Sequence, residues 1–368
     1  MDSLRPRKKT VCVAMSGGVD SAVVAAILKR RGHEVIGVTM QIWQESQRDP
    51  RHAGCCSLGA VEDARRCAQV LGIPHYVVNF KDEFKETVID EFVDEYFKGR
   101  TPNPCVTCNK KVKFEALLQK SNELGCDVLA TGHYARIRRV LGGHSLLKSF
   151  GGHKDQSYVL YMLSQEQMAQ VWFPLGELGD KAETRRMARE FGLPVADKPD
   201  SQEVCFVSEA GGYREFLRKA RPEAFEAGEL VDTAGRSMGS HQGVADFTVG
   251  QRRGIGVAVG KPLYVISLDP ASRRVVVGED EELLTQEVLL EDVVWSGPGK
   301  TNDARDTGRS RVTAKVRYNM EPRKATLMGG DRPRLVFDEP VRAVTPGQIA
   351  VAYRGQSVVA GGKITSTP

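Results

Sequence analysis

At 368 residues the chain is longer than one hydrophobic core usually serves, so two or three domains are expected. With 41% hydrophobic and 27% charged residues it has the make-up of a soluble globular enzyme, and no apolar run approaches the ~20 residues of a membrane helix. The net charge of +5 is modest, and 13 Lys+Arg against 9 Asp+Glu from Thr285 onward put +4 of it at the C-terminal end, a balance compatible with nucleic acid and equally with solvated surface.

The basic start MDSLRPRKKT runs directly into a strand-like VCVAM without a cleavage site, so it reads as an ordered beginning rather than a targeting peptide. Residues 10–15 (TVCVAM) are short, apolar and β-branched, the pattern of a buried strand. A helix follows over 20–31, with Val23, Val24, Ile27 and Leu28 apolar and Gly32 at its end. The alternation then repeats: strand 34–40, helix 59–71, strand 75–80, helix 111–124, strand 127–133. Such a succession predicts a parallel sheet with helices on both faces.

After Tyr134 the pattern changes to a hairpin that turns at 141–143, then a helix over 181–191 ended by Gly192 and Pro194. Beyond Gly228 helix signals nearly vanish, and short alternating strands meet at Gly, Pro and Asp turns. The expected organisation is an α/β domain over 1–211, a small, mostly β domain over 212–284, and a β-barrel domain over 285–368.

Between the first strand and first helix lies AMSGGVDS, residues 14–21. Gly17 and Gly18 let backbone N–H groups approach a phosphate, and the helix behind them adds its positive end. Ser16 and Ser21 offer hydroxyl donors, and Asp20 can cap the helix or help hold a magnesium ion. Neither a G-x-x-x-x-G-K-[ST] loop nor a G-x-G-x-x-G turn is present.

Eight cysteines are too few and too irregular for a disulfide framework, which points to a reducing cytosol. Cys12, Cys67 and Cys126 fall in or beside regular elements and read as small buried hydrophobes, whereas adjacent Cys55 and Cys56 cannot easily share one metal. TPNPCVTCNK, residues 101–110, holds a C-x-x-C that suits a zinc half-site, a redox dithiol, iron–sulfur ligands or a nucleophile with a bystander. No second C-x-x-C exists in the chain, so a two-knuckle zinc ribbon is excluded.

SGGVDS resembles the PP-loop of the ATP pyrophosphatase superfamily, which grips the pyrophosphate of ATP and transfers AMP to a carbonyl oxygen. With Cys105 and Cys108, Cys205 in DSQEVCF, TGHYA at 131–135, KDQSY at 154–158 and FTVGQRRG at 247–254, the whole chain resembles the bacterial tRNA-specific 2-thiouridylase family. That resemblance implies ATP and Mg²⁺ as cofactors and ATP-dependent replacement of the wobble uridine's 2-oxygen by sulfur. Its partners would be tRNA and a sulfur-donor protein or free sulfide, and the protein would be a cytoplasmic monomer when tRNA is absent.

By the same resemblance Ala14, Met15, Ser16, Gly17, Gly18, Val19, Asp20 and Ser21 form the nucleotide pocket with Met40 and Gly132. Cys205 would carry a persulfide and Cys108 would be its catalytic partner, since release of the terminal sulfur needs a second thiol. Asn103, Pro104 and Cys105 would line the target base, and Lys154, Asp155, Gln156, Arg317, Tyr318, His133 and Gln348 would touch tRNA. Where the best-known form of the family has an aspartate, this chain has Cys105. A thiol lacks a carboxylate's charge, and the set Cys105, Cys108, Cys205 is a candidate [4Fe–4S] ligand set with one open iron. Two competing functions are a PP-loop ligase that adenylates a small molecule and an RNA-binding protein with a structural metal knot. A tRNA requirement for pyrophosphate release separates the first, and an ATP requirement for thiolation the second.

Overall fold

The computed structural model describes residues 8–42, 58–152, 154–200, 204–208, 210–257, 260–297 and 308–365; most of the basic start, the Cys55–Cys56 pair and 201–203 of DSQEVCF lie outside them. The chain divides into two compact units, one of Met1–Val88 and Cys105–Glu209, the other of Ile89–Pro104 and Ala210–Pro368. Among the described residues no helix is long and apolar enough to cross a membrane.

The first unit is built on β1 (Thr10–Ala14), β2 (Glu34–Gln41), β3 (His75–Asn79), β4 (Val128–Ala130) and β7 (Val171–Trp172), in the order β3-β2-β1-β4-β7. Every neighbouring pair is parallel. Val11, Cys12 and Val13 are fully buried, as expected of a central strand covered on both faces. Helix α1 (Val19–Arg30) buries Val19 and everything from Ser21 to Leu28, and carries Lys29 and Arg30 in its last turn, where the helix dipole favours cations. The chain leaves β1 toward β2 on one side and returns through β4 on the other, so a crevice opens beyond the C-terminal ends of β1 and β4, the usual ligand position in open α/β sheets. The predicted hairpin is β5 (Ala135–Val140) and β6 (Gly143–Lys148).

One expectation changes around the C-x-x-C. The predicted helix over 111–124 starts earlier: Pro104–Thr107 is already α-helical, Cys108–Ala116 is wound as a π-helix and Leu117–Glu123 returns to α. Pro104 occupies the first turn, where its missing N–H costs nothing and its fixed φ suits a helix. Both cysteines are therefore helical residues rather than loop residues. Further helical stretches without a sequence expectation include Lys81–Phe97, in consecutive α and π segments, and Tyr213–Ala220.

In the second unit β8 (Gly228–Asp232), β9 (Ser237–His241), β10 (Tyr264–Asp269) and β11 (Arg274–Gly278) form a small sheet in the order β10-β11-β8-β9. Six strands follow: β12 (Leu284–Trp295), β13 (Arg309–Lys315), β14 (Arg323–Met328), β15 (Arg334–Arg342), β16 (Ile349–Arg354) and β17 (Ser357–Ile364). They pair in the order β12-β15-β14-β13-β16-β17, and an antiparallel β12–β17 ladder closes the barrel. Along β13, Val312 and Ala314 point into the core while Arg309 and Arg311 face water, the period-two alternation of a strand with one buried face.

The helix Asp90–Phe97 belongs to this second unit and is held there by three kinds of contact. Phe92 meets Phe216 edge-on at 6.1 Å and Tyr96 stacks on Tyr213 at 5.1 Å. Glu95, with its side chain 5% exposed, lies 2.8 Å from Lys363 of β17 and 3.6 Å from Arg100.

Candidate active site

The PP-loop sits in the crevice of the first unit, and its two tight glycines have separate causes. Gly17 has φ +69°, and a Cβ there would stand 2.1 Å from the carbonyl oxygen of Ala60, so neither the conformation nor the space admits a side chain. Gly132, just past β4, approaches the start of α1 so closely that a Cβ would be 2.9 Å from Cβ of Asp20 and 3.0 Å from the Ser21 nitrogen. The loop is also tied to itself: Ser16 donates its backbone N–H to Ser21 Oγ at 3.1 Å, and Ser21 Oγ donates to the Gly18 carbonyl at 3.2 Å. Met15 is anchored to β2 through Val38 and Thr39, and half-buried Met40 lies at the same end of that strand.

Asp20 does not cap the helix. Gly18 is the N-cap, and no side-chain cap hydrogen bond closes the helix start. The Asp20 carboxylate instead takes the Lys181 ammonium, 2.6 Å from each oxygen, and the Tyr134 hydroxyl at 2.8 Å. Lys181 also meets Asp200 at 2.9 Å, and Asp200 accepts from Lys154 at 2.6 Å and Arg185 at 3.2 Å. Burial alone would raise the Asp200 carboxyl, but the bonds and charges of Lys154 and Lys181 outweigh it and hold it below the usual carboxylate range. Burial and the neighbouring Asp20 charge push the Tyr134 phenol upward, so it stays a hydrogen-bond donor.

A second lysine reaches the loop from far along the chain. Lys198 donates to the Gly17 carbonyl at 3.1 Å and to Asp63 at 2.6 Å. Nothing in the sequence marks Lys181, Lys198 or Asp200 as loop residues, because their separations of 161 and 181 positions from it carry no periodicity. TGHYA and DSQEVCF flag their neighbourhood without assigning the side chains.

The cysteines occupy different settings. Cys105 is exposed; Cys108 and Cys205 are half-buried, and none is in a disulfide. Cys205 opens the short helix Cys205–Ser208, which Phe206, 1% exposed, anchors by an edge-on contact with Phe84 at 5.8 Å. The turn Lys81–Phe84 in its course packs against the π-helical segment that begins at Cys108. The helix that carries Cys205 and the segment that begins at Cys108 thus both pack against the turn Lys81–Phe84. Among the described residues no group of three or more His, Cys, Asp or Glu side chains is placed to hold a metal ion.

The remaining predicted contacts fall in both units. In the first, Lys154 is exposed and paired with Asp200. Asp155 is spent on its own turn, accepting from Ser149 N, Ser157 N and Ser157 Oγ at 3.1, 3.1 and 2.8 Å. Gln156 clamps Tyr134 by accepting its N–H at 2.9 Å and donating its own backbone N–H to the Tyr134 carbonyl at 2.8 Å. His133 is buried between the rings of Phe114 and Phe173 and bonds Thr131 Oγ1 at 2.6 Å; burial, helped by the Lys113 charge, keeps it neutral.

In the second unit, Asn103 and Pro104 end a segment pinned by Thr101 N to the Pro346 carbonyl and by Gln348 Nε2 to the Thr101 carbonyl, each at 2.8 Å. Arg317 and Gln348 line a cleft of about 210 Å³ with Thr101, Thr248 and Gly250. β13 ends at Lys315, and a turn closed by Met320 N to the Arg317 carbonyl at 3.2 Å leaves Arg317 and Tyr318 exposed.

Comparison with known proteins agrees along the whole chain. Three family models match consecutive stretches: a tRNA methyl transferase HUP domain over 9–209, a tRNA methyl transferase PRC-barrel domain over 214–279, and an aminomethyltransferase beta-barrel domain over 285–364. Among full-length relatives, the tRNA-specific 2-thiouridylase MnmA of Geobacter metallireducens is 50% identical over 364 residues, covering 97% of each chain. The protein of the same name from Moorella thermoacetica is 48% identical over 363 residues, 96% of this chain and 99% of the relative. That from Clostridioides difficile is 45% identical over 360 residues, 97% and 98% of the two chains.

Proposed function

This chain belongs to the tRNA-specific 2-thiouridylase family, and from that membership we propose that it is a tRNA-uridine 2-sulfurtransferase working by adenylation and then sulfur transfer. The observation that carries the reading is the PP-loop at the mouth of β1 and β4, where Gly17 and Gly132 clear the space in which backbone donors meet phosphate.

In the first step the uridine 2-oxygen attacks the α-phosphorus of ATP, the α–β bond breaks and pyrophosphate leaves. Adenylation turns a poor leaving group into AMP and makes carbon 2 electrophilic. Magnesium usually keeps one or two carboxylates plus substrate phosphates, and Asp20 is the carboxylate at the loop that suits it. In the second step the terminal sulfur of a Cys205 persulfide attacks carbon 2 and AMP departs. The Cys108 thiolate then attacks the Cys205 sulfur, the persulfide S–S bond breaks, 2-thiouridine is released and a Cys108–Cys205 disulfide forms. An external thiol reduces that disulfide before the next cycle. The persulfide comes from a donor protein. The packing of both cysteine-bearing elements against the turn Lys81–Phe84 supports this pairing.

The test is thiolation of unmodified tRNA with ATP and a persulfide donor, read by mass spectrometry of digested nucleosides beside pyrophosphate release. Cys108→Ser and Cys205→Ser should each lower 2-thiouridine formation by at least about 100-fold while tRNA-dependent pyrophosphate release persists. In an anaerobic preparation Cys105→Ala should still thiolate, and protein-bound iron should be absent. Thiouridine formed without ATP, or by Cys205→Ser at the wild-type rate, would contradict the proposal.

A further inference from the structure

Two chains of hydrogen bonds leave the segment Lys154–Gln156 and end on the same carboxylate, Asp20 of the PP-loop. The first runs Lys154 to Asp200 at 2.6 Å, Asp200 to Lys181 at 2.9 Å, and Lys181 to Asp20 at 2.6 Å. The second runs from Gln156, which holds the Tyr134 backbone on both sides, to the Tyr134 hydroxyl on Asp20 at 2.8 Å. Lys181 also lies 5.9 Å over the Tyr134 ring, so the two routes touch before they meet.

The members differ in how free they are to move. Lys181 is enclosed, with its side chain 14% exposed, whereas Lys154 is 45% exposed and among the described residues pairs with Asp200 alone. Arg185 is fixed from behind by the Ala196 carbonyl at 2.8 Å and so keeps Asp200 in place. With Lys181 on both its oxygens, Asp20 is masked and competes poorly for a magnesium–phosphate group.

We propose that Asp200 and Lys181 are positioning residues that make the nucleotide step conditional on tRNA. The inference rests on the proposed sulfurtransferase function and on Lys154 being a tRNA contact. When an RNA phosphate takes the exposed Lys154, Asp200 loses one of three cations and draws Lys181 more strongly. Lys181 shifts off Asp20, and the loop carboxylate is unmasked for magnesium and the ATP phosphates. Linkage makes the effect mutual: bound Mg–ATP, by holding Asp20, tightens tRNA by the same factor.

Variants at the two ends should move the nucleotide step in opposite directions, which a loss of structure would not do. In Asp200→Asn nothing draws Lys181 away from Asp20, so tRNA-free Mg–ATP should bind more weakly and stimulation of pyrophosphate release by unmodified tRNA should fall about tenfold. In Lys154→Met Asp200 is already relieved of one cation, so tRNA-free Mg–ATP should bind severalfold more tightly although tRNA itself binds less well. Asp200→Glu should restore much of the stimulation. Full tRNA stimulation in Asp200→Asn, or weaker tRNA-free Mg–ATP binding in Lys154→Met, overturns the inference. Nucleoside analysis of the wild-type reaction in parallel separates the two levels. Thiolation with coupling unchanged in Asp200→Asn sinks this inference alone, and a wild-type protein that makes no 2-thiouridine sinks the sulfurtransferase reading with it.

Discussion

At the scale of single residues, the loop depends on missing side chains more than on present ones. The first atom of any side chain at Gly17 would stand 2.1 Å from the Ala60 carbonyl oxygen, at a φ of +69° that L-residues avoid. Gly17→Ala should therefore displace the loop from the start of α2 (Leu58–Leu71) and lower ATP-dependent pyrophosphate release by about 100-fold. Persulfide loading of Cys205, followed by thiol alkylation and mass spectrometry, should continue, because that cysteine is anchored elsewhere through Phe206. Gly17 was legible from the sequence, since a strand, two glycines and a helix in immediate succession are a local pattern. Lys181 and Lys198 were not. Their place at the loop is set by how the helix Lys181–Glu190 and the chain that follows it fold back toward the loop, and a polar-surface lysine looks the same in sequence whether or not it finds such a partner.

At the scale of elements, the strands were readable because buried β-branched runs and alternating barrel strands each have their own period. The helix over 81–97 was not, because charged and apolar residues are interleaved there beside a strand ending, and part of it is wound as a π-helix. That helix carries the most enclosed acid of the second unit. Burial would raise the Glu95 carboxyl, but Lys363, then Arg100 and Lys98, more than offset this and hold it below its ordinary range. A depressed folded value means that the stabilisation is complete above the unfolded-chain carboxyl value of about 4.3 and is lost as pH falls through the lower folded value. Glu95→Gln should cost about 2 kcal/mol near neutral pH, because enclosed Lys363 loses its nearer carboxylate and keeps only Glu91 at 3.7 Å. Thermal unfolding of the variant and the wild type should differ near pH 7 and converge in acid.

At the scale of the whole molecule, the class and order of the parts could be read in advance: a parallel PP-loop sheet, a small β domain, then a closed barrel. What the sequence order conceals is that compact units need not be continuous in the chain. Ile89–Pro104 lies in the first third of the sequence yet packs with residues from Ala210 onward. A fragment of 210–368 should consequently unfold early and bind a hydrophobic dye, with Phe216 and Tyr213 uncovered and Lys363 lacking Glu95, and a peptide of 89–104 added in trans should raise its melting temperature.

That interleaving also dictates a schedule on the ribosome. Phe92 and Tyr96 emerge early, and more than a hundred further residues must be synthesised before Tyr213 and Phe216 arrive to cover them. Until then the nascent chain carries an apolar helix face that a trigger-factor-like chaperone would have to shelter. The same layout restricts how genes of this kind can be recombined. An exchange of the C-terminal half alone would pair a new barrel with an old helix, so the two would have to change together.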